Sequence, residues 1–200
     1  MTRAAQREQT RRRIVGAAID VFSTQGFEAS STRTIAERAG ITQGLLTYHF
    51  PTKDLLWRAA AQRLFDLVEG EVVGPMVALG PGSDVETGRE YIRIYARFVA
   101  QHPELFQFMV DAQTDPAGRC AWLVDTHLRP LYRDFETNMA RFKPELLSAD
   151  IPHVFYSMVG AASLLFGLGE EARQLCDLDT RRLETVEAHA DHVARLLLPS

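Results

Sequence analysis

The sequence predicts an all-α fold, and three observations carry that prediction. Apolar residues recur at three- and four-residue steps through most of the chain. Glycine and proline interrupt these runs at roughly one helix length. The stretch Ser31 to Lys53 reads as two short helices joined by a glycine turn, with a third helix starting at its end. The predicted architecture is an N-terminal three-helix helix-turn-helix domain, residues 1–55, on a larger C-terminal helical bundle, residues 56–200.

The chain of 200 residues, 46% apolar and 24% charged, is long enough to bury a core without disulfide or metal support. Cys120 and Cys176 make no disulfide framework and fit a reducing cytoplasm. No apolar run approaches the length of a membrane span, and no long apolar core follows the N-terminal arginines, so neither a membrane segment nor a signal peptide is expected. The charge is uneven. Residues 1–58 hold nine Lys and Arg against five Asp and Glu, and residues 59–200 hold thirteen against twenty-one. A basic head on an acidic body suggests that the head alone meets a polyanion.

Residues 1–9 are polar and read as a loose segment, in which Arg3 and Arg7 form either an arm toward a phosphate or groove, or a solubilising tail. From Thr10 a helix is predicted on the stripe Ile14, Ala17, Ala18, Val21 and Phe22, closed at Gly26, with Phe27 folding back. Ser31 caps the second helix, whose small apolar face is Ile35, Ala36 and Ala39. Gly40 stops it, Thr42 caps a third helix from Gln43 to His49, and Pro51 ends that helix near Phe50. Thr52 then caps a long helix starting at Lys53.

In helix-turn-helix geometry the second helix of the motif enters a major groove. Gln43 is the candidate base reader, with a phosphate or water-mediated contact as its alternative. Tyr48 packs on base and sugar or touches the backbone. The hydroxyls of Ser31, Thr32 and Thr42 cap helices, bind phosphates, or do both. Arg33 points outward to DNA or pairs with Glu37 one turn on. Gly44 costs helix stability of the order of 1 kcal/mol. It fits close approach of a DNA strand or close packing on the preceding helix. Lys53 opens a helix where a cation is disfavoured, and a nearby anion would offset that.

Residues 10–58 resemble the DNA-binding domain of tetracycline-repressor-like (TetR) transcriptional regulators. The resemblance lies in Phe22, Gly26, Phe27, Ile35, Ala36, Ala39, Gly40, Ile41, Thr42, Gly44, Leu46, His49, Phe50, Lys53 and Leu56, in order and without gaps. It covers about a quarter of the chain. His49 and Lys53 match the family's backbone contacts. Thr47 departs from the pattern, because the family usually has Tyr there; its shorter hydroxyl still reaches a phosphate or approaches a thymine methyl. The resemblance implies a two-fold dimer on near-palindromic operator DNA. It also implies that a small molecule in the body moves the helix starting at Lys53 and releases the heads, usually relieving repression, although activators and corepressor-dependent members exist.

In the body the long helix is expected to end near Gly70 to Gly74, with Pro75, Gly80, Pro81 and Gly82 forming a loop. A helix is expected over Glu86 to Gln101, and Pro103 opens the next. Asp115, Pro116 and Gly118 mark a turn before a long helix from Arg119 to Arg141, kinked or divided at Pro130. After Pro144 the chain resets into the apolar helix from Ile151, with Gly160, Ala161 and Ala162 as a small-residue patch. Glu170 to Asp179 reads as loop, and Thr180 starts the last helix. Residues 151–168 and 180–197 suit a four-helix homodimer interface, and the family resemblance favours that over an intrachain core.

The body is rich in large side chains. Tyr95, Phe98, Phe106, Met109, Trp122, Phe155 and Met158, with Gln113 and His127 as polar contacts, are the expected lining of an apolar effector pocket, although each aromatic at helical spacing also suits plain core. Cys120 lines that pocket or is an inert thiol. His189 and His192 lack further ligands near in sequence, and no zinc-peptidase, Walker, nucleophile-elbow or dinucleotide motif is present. No catalytic residue, metal or cofactor is expected. The alternative reading is a helical small-molecule-binding protein or enzyme without specific DNA binding.

Overall fold

The computed structural model describes residues 2–80, 84–115, 118–142 and 146–198; Pro81, Gly82, Pro116 and Pro144 lie outside them. Among the described residues every regular element is a helix. Helix α1 spans Arg3–Ala29, α2 Thr32–Arg38, α3 Gln43–His49 and α4 Lys53–Val68. The body follows with α5 (Gly74–Ala78), α6 (Val85–Gln101), α7 (Glu104–Gln113), α8 (Arg119–Leu123) and α9 (Arg129–Phe142). Helices α10 (Ile151–Gly167), α11 (Gly169–Cys176) and α12 (Leu183–Leu197) complete it.

Five elements differ from the sequence reading. Residues 3–9 are not loose but form the first turns of α1, capped by Thr2, whose hydroxyl accepts the Ala5 N–H. The straight run of α1 still breaks at Gly26, at φ +75°, and one more helical turn follows. The fourth helix does not end at Gly70 to Gly74. It widens into a π turn, Glu69–Val73, in which the Gly74 N–H reaches back five residues to the Glu69 carbonyl, and continues as α5. A second π turn, Val124–Leu128, divides the predicted long helix, with the Arg129 N–H on the Val124 carbonyl. Each wide turn stands just before a proline, Pro75 or Pro130, whose missing N–H would leave an ordinary helix one bond short. Residues 169–176 form α11 rather than a loop. This helix buries no residue, and its short apolar stripe, Ala172, Leu175 and Cys176, is too brief to announce a helix. It is held by Glu170, which accepts from Arg173 at 2.6 Å and Gln174 at 2.7 Å, and it ends at Asp177 in the left-handed region. Helix α12 begins at Leu183, later than Thr180.

One continuous apolar core runs from Ile14, Phe22 and Leu46 in the head through Trp57 and Leu64 of α4 to Phe98, Phe108, Phe166, Val193 and Leu198. Helix α1 packs on both α4 and α7, so the head is seated on the body at two places. Helix α12 lies along α6, and their outer faces are tied by Arg93 to Asp191 (2.7 Å) and Arg97 to Glu187 (2.8 Å). Among the described residues no single helix is long and apolar enough to cross a membrane. Helices α10 and α11 reach that composition only as a pair bent by 70°.

Candidate nucleic-acid interface and the cluster behind it

Three hydroxyl residues set the head. Ser31 Oγ accepts the Thr34 N–H at 3.0 Å, Thr42 Oγ1 the Leu45 N–H at 3.3 Å, and Thr52 Oγ1 the Leu55 N–H at 3.1 Å. Each satisfies one orphan donor at the start of its helix. Gly40, at φ +64°, turns the chain after α2, and the Ile41 N–H returns to the Ala36 carbonyl. The far end of α2 is closed from outside, because Arg13 of α1 donates to the Ala39 carbonyl at 2.6 Å. The sequence reading did not single out Arg13, whose role depends on a contact 26 residues away. Leu46 and Phe50 pin α3 to the core, whereas Leu45 faces out.

This scaffold holds Ser31, Arg33, Thr42, Gln43, Gly44, Thr47 and Tyr48 exposed, with Thr32, His49 and Lys53 half-buried beside them. Arg33 pairs with Glu37 at 3.0 Å, an exposed contact worth little. The Gln43 amide donates to Thr32 Oγ1 at 3.4 Å, which links the starts of the two helices. Thr47 donates its proton to the Gln43 carbonyl, leaving its oxygen lone pairs and methyl outward. Gly44 has open space where a side chain would stand, so close packing on α2 does not explain it. Tyr48 is 68% exposed and meets the His49 ring edge-on. Burial holds the His49 imidazole below its ordinary pKa, and the positive charges of Arg7 and Arg11 add to this. Lys53 reaches back to the α1–α2 link, donating to the Ser30 carbonyl at 2.7 Å and lying 4.3 Å from the Phe27 ring centroid. The misfit of a lysine at a helix start is thus met by backbone oxygens of the protein itself. Burial lowers its pKa.

Where head meets body, Phe27 is the centre of a polar knot. Its N–H donates to the Asp111 carboxylate at 3.1 Å, and the Arg119 guanidinium covers its ring at 3.5 Å. Arg119, 4% exposed, pairs with Asp115 at 2.9 Å, whose side chain is 1% exposed. Sequence reasoning missed Asp111, Asp115 and Arg119, since no local pattern announces a contact between positions 27 and 119.

The residues expected to line a pocket divide into separate neighbourhoods. Trp122 and His127 gather on α4: His127 stacks on Phe65 at 4.3 Å and meets Trp122 edge-on at 5.2 Å, and Trp122 lies 6.0 Å from Trp57. Within this cluster the buried Trp57 Nε1 and His127 Nε2 have no hydrogen-bond partner among the described residues. Burial holds His127 below its usual pKa, against the opposing pull of Asp66. Phe98 is buried in the same continuous core, with Met109 packed at its edge. Tyr95 touches Ser163 through its hydroxyl at 3.4 Å, and Phe106 lies against Gly167. Gln113 is exposed, with the Cys120 thiol 3.6 Å from its carbonyl oxygen. Phe155 stands apart with Tyr132 and Phe135, while Met158 packs on the core. Shallow surface hollows lie elsewhere, beside Arg13, Asp20 and Arg38 and beside Glu171 and Leu175. His189 is not available as a ligand, since its Nε2–H donates to the Ala161 carbonyl at 2.9 Å.

A capped helix pair presenting its second helix outward, on a helical body, is a helix-turn-helix arrangement. Residues 14–60 match the family model described as bacterial regulatory proteins, tetR family. The regulator RutR of Escherichia coli strain K12 is 30% identical over 91 residues, 46% of this chain and 42% of that protein. A protein of Chlorobium phaeobacteroides named 4-diphosphocytidyl-2-C-methyl-D-erythritol kinase is 28% identical over 137 residues, 67% of this chain and 47% of its own. The chain therefore spans less than half the length of these curated relatives. Among solved structures, a TetR-like regulator from Rhodococcus sp. RHA1 superposes with a TM-score of 0.69 at 23% identity, covering 98% of this chain and 96% of that one. AibR, solved with isovaleryl coenzyme A and operator DNA, superposes with a TM-score of 0.73 at 17% identity, covering 95% and 98%. Residues 14–60 are thus similar to the tetR family of bacterial regulatory proteins, and the chain as a whole shares the fold of these solved structures.

Proposed function

We propose that this protein is a ligand-responsive DNA-binding transcriptional regulator, a repressor released from a palindromic operator by a small, largely apolar effector. The observation that carries this is the exposed row Thr42, Gln43, Gly44, Thr47 and Tyr48 on a helix fixed at both ends and underneath. Residues 1–55 act as the DNA-binding domain and residues 56–200 as the effector and dimer domain. Gln43 reads a base edge; Ser31, Thr32, Arg33, His49 and Lys53 hold phosphates, with Lys53 leaving the Ser30 carbonyl to do so.

The protein works as a homodimer through residues 151–168 and 180–197. The exposure of Tyr156 and Leu164 on α10, of Leu168 just after it, and of Leu183 and Leu196 on α12 supports this face. The effector lodges in the α4 cluster of Trp57, Trp122 and His127, where two polar atoms await a partner. AibR, whose fold this chain shares, is described with both an acyl-coenzyme A and operator DNA. An effector that binds one placement of α4 better shifts the spacing of the two heads. The site of action is the cytoplasm.

Selection of bound duplexes from a random library, at a stated salt concentration, tests this reading. A palindromic sequence is expected; no enrichment at low salt, with or without cell-extract metabolites, would sink it. Both tryptophans of the chain lie in the effector cluster, so a fitting metabolite should change tryptophan emission while releasing that duplex.

A further inference from the structure

Arg3, Arg7 and Arg11 stand four residues apart and form one stripe along the start of α1. The stripe borders the recognition helix. The Arg7 guanidinium lies 5.8 Å from the Tyr48 ring centroid, and that of Arg11 lies 5.1 Å from the Phe50 ring. All three side chains are exposed, and none has a carboxylate partner among the described residues. Their neighbours are occupied: Arg12 pairs with Glu8, and Arg13 closes α2. Burial is the main cause of the depressed pKa of His49, and the charges of Arg7 and Arg11 beside α3 add to it.

We infer that this stripe is a second phosphate-binding strip of the nucleic-acid interface, holding one strand of the duplex alongside the recognition helix. Its partner is the DNA backbone because the stripe continues the surface of α3 and carries only guanidinium groups, whose forked donors suit phosphates. From Arg3 to Arg11 the helix rises about 12 Å. That matches the rise of roughly three to four phosphates along one strand. The N-terminal segment is therefore a rigid rail rather than a loose arm or a solubilising tail. This inference rests on the proposed DNA-binding role.

The test uses the full-length protein and a fluorescently labelled duplex of mixed sequence, with affinity measured across a salt series by anisotropy. In the triple variant Arg3→Gln/Arg7→Gln/Arg11→Gln, the slope of log K against log salt should become shallower by about 2.7 per bound chain, at about 0.9 for each lost phosphate contact. Arg3→Gln alone, which disturbs no ring contact, should remove about 0.9. The triple replacement by lysine should retain the slope, and Arg12→Gln should leave it unchanged. A wild-type slope in the triple glutamine variant would overturn the inference while leaving the regulator reading intact. A wild-type protein that binds no duplex even at low salt would overturn both.

Discussion

The outer surface of the head and the junction beneath it place polar groups by opposite rules. On the head, Ser31, Thr42 and Thr52 cap helix starts at the surface, and Gln43, Thr47 and Tyr48 stay in solvent. At the junction, Arg119 and Asp115 are buried together, and Trp57 Nε1, His127 Nε2 and Arg119 Nε are buried with no partner among the described residues. Surface polar groups on a rigid frame can exchange water for another polar surface at little cost to the fold. Buried ones are committed: they stabilise only while every counterpart stays in place. On the proposed reading, the head binds without moving its own frame, and the junction responds to an effector beside it.

The largest expected effect separates the two regions directly. Arg119→Leu strips the buried Asp115 of its counter-charge and should cost about 3–5 kcal/mol in urea unfolding. The double variant Arg119→Leu/Asp115→Leu should recover most of that, since no lone charge remains. Arg33→Ala breaks an ion pair whose side chains are 78% and 65% exposed, and should cost less than about 1 kcal/mol. Equal losses at the two sites would break the contrast between surface and junction.

Gly26→Ala comes next. At φ +75° an added Cβ is strained by about 1–2 kcal/mol. It would also stand 2.7 Å from Asp111 Oδ1, the carboxylate that accepts the Phe27 N–H, so the knot must open to admit it. Asp111→Ala in the same background should relieve the collision but not the backbone strain. A Gly26→Ala protein as stable as the parent would show that the two-point seating of α1 is not tight.

The junction should also be sensitive to acid. Burial keeps His127 neutral, with a folded pKa below its unfolded value of about 6.5. The unfolded chain therefore takes up the proton first, and stability falls as pH drops below about 6.5 toward the folded value. His127→Phe keeps a ring against Phe65 and removes that part of the acid loss. His49 and His189, both also depressed, leave a remaining slope. Thermal unfolding followed through this window in both proteins checks it. Identical pH profiles would mean that the imidazole is not held neutral where it stacks.

The same contrast decides what was legible in the sequence. The head's turns are written locally: Ser31, Gly40, Thr42, Pro51 and Thr52 each act on residues within four positions, so their spacing announces the fold. The junction is written across distance. Arg119 finds Phe27, Asp111 finds the Phe27 N–H, and Arg13 finds Ala39, and no periodicity encodes such pairs. Pro75 reads as a break, yet a π turn carries the helix past it, and at Pro130, read as a kink or a division, a π turn divides the helix. The exposed row of α3 was legible because a recognition helix needs its polar residues at its own surface. The aromatic neighbourhoods of the body were not, because Phe155 and His127 show the same helical spacing and sit in different places.

The smallest effect sharpens the comparison most, because stability and binding should move in opposite directions. Gly44 sits in the first turn of α3 with no atom within 4 Å of where a Cβ would be, so nothing inside the protein requires a glycine. In a helix, Gly→Ala should stabilise by up to about 1 kcal/mol. If the backbone at Gly44 is where a DNA strand comes closest, the added methyl should raise the melting temperature slightly and weaken duplex binding. Both are read on one protein sample, by thermal unfolding and by anisotropy on a selected duplex. Gain in stability with unchanged affinity would place the DNA away from the start of α3, and would shift the reading role from Gln43 toward Tyr48.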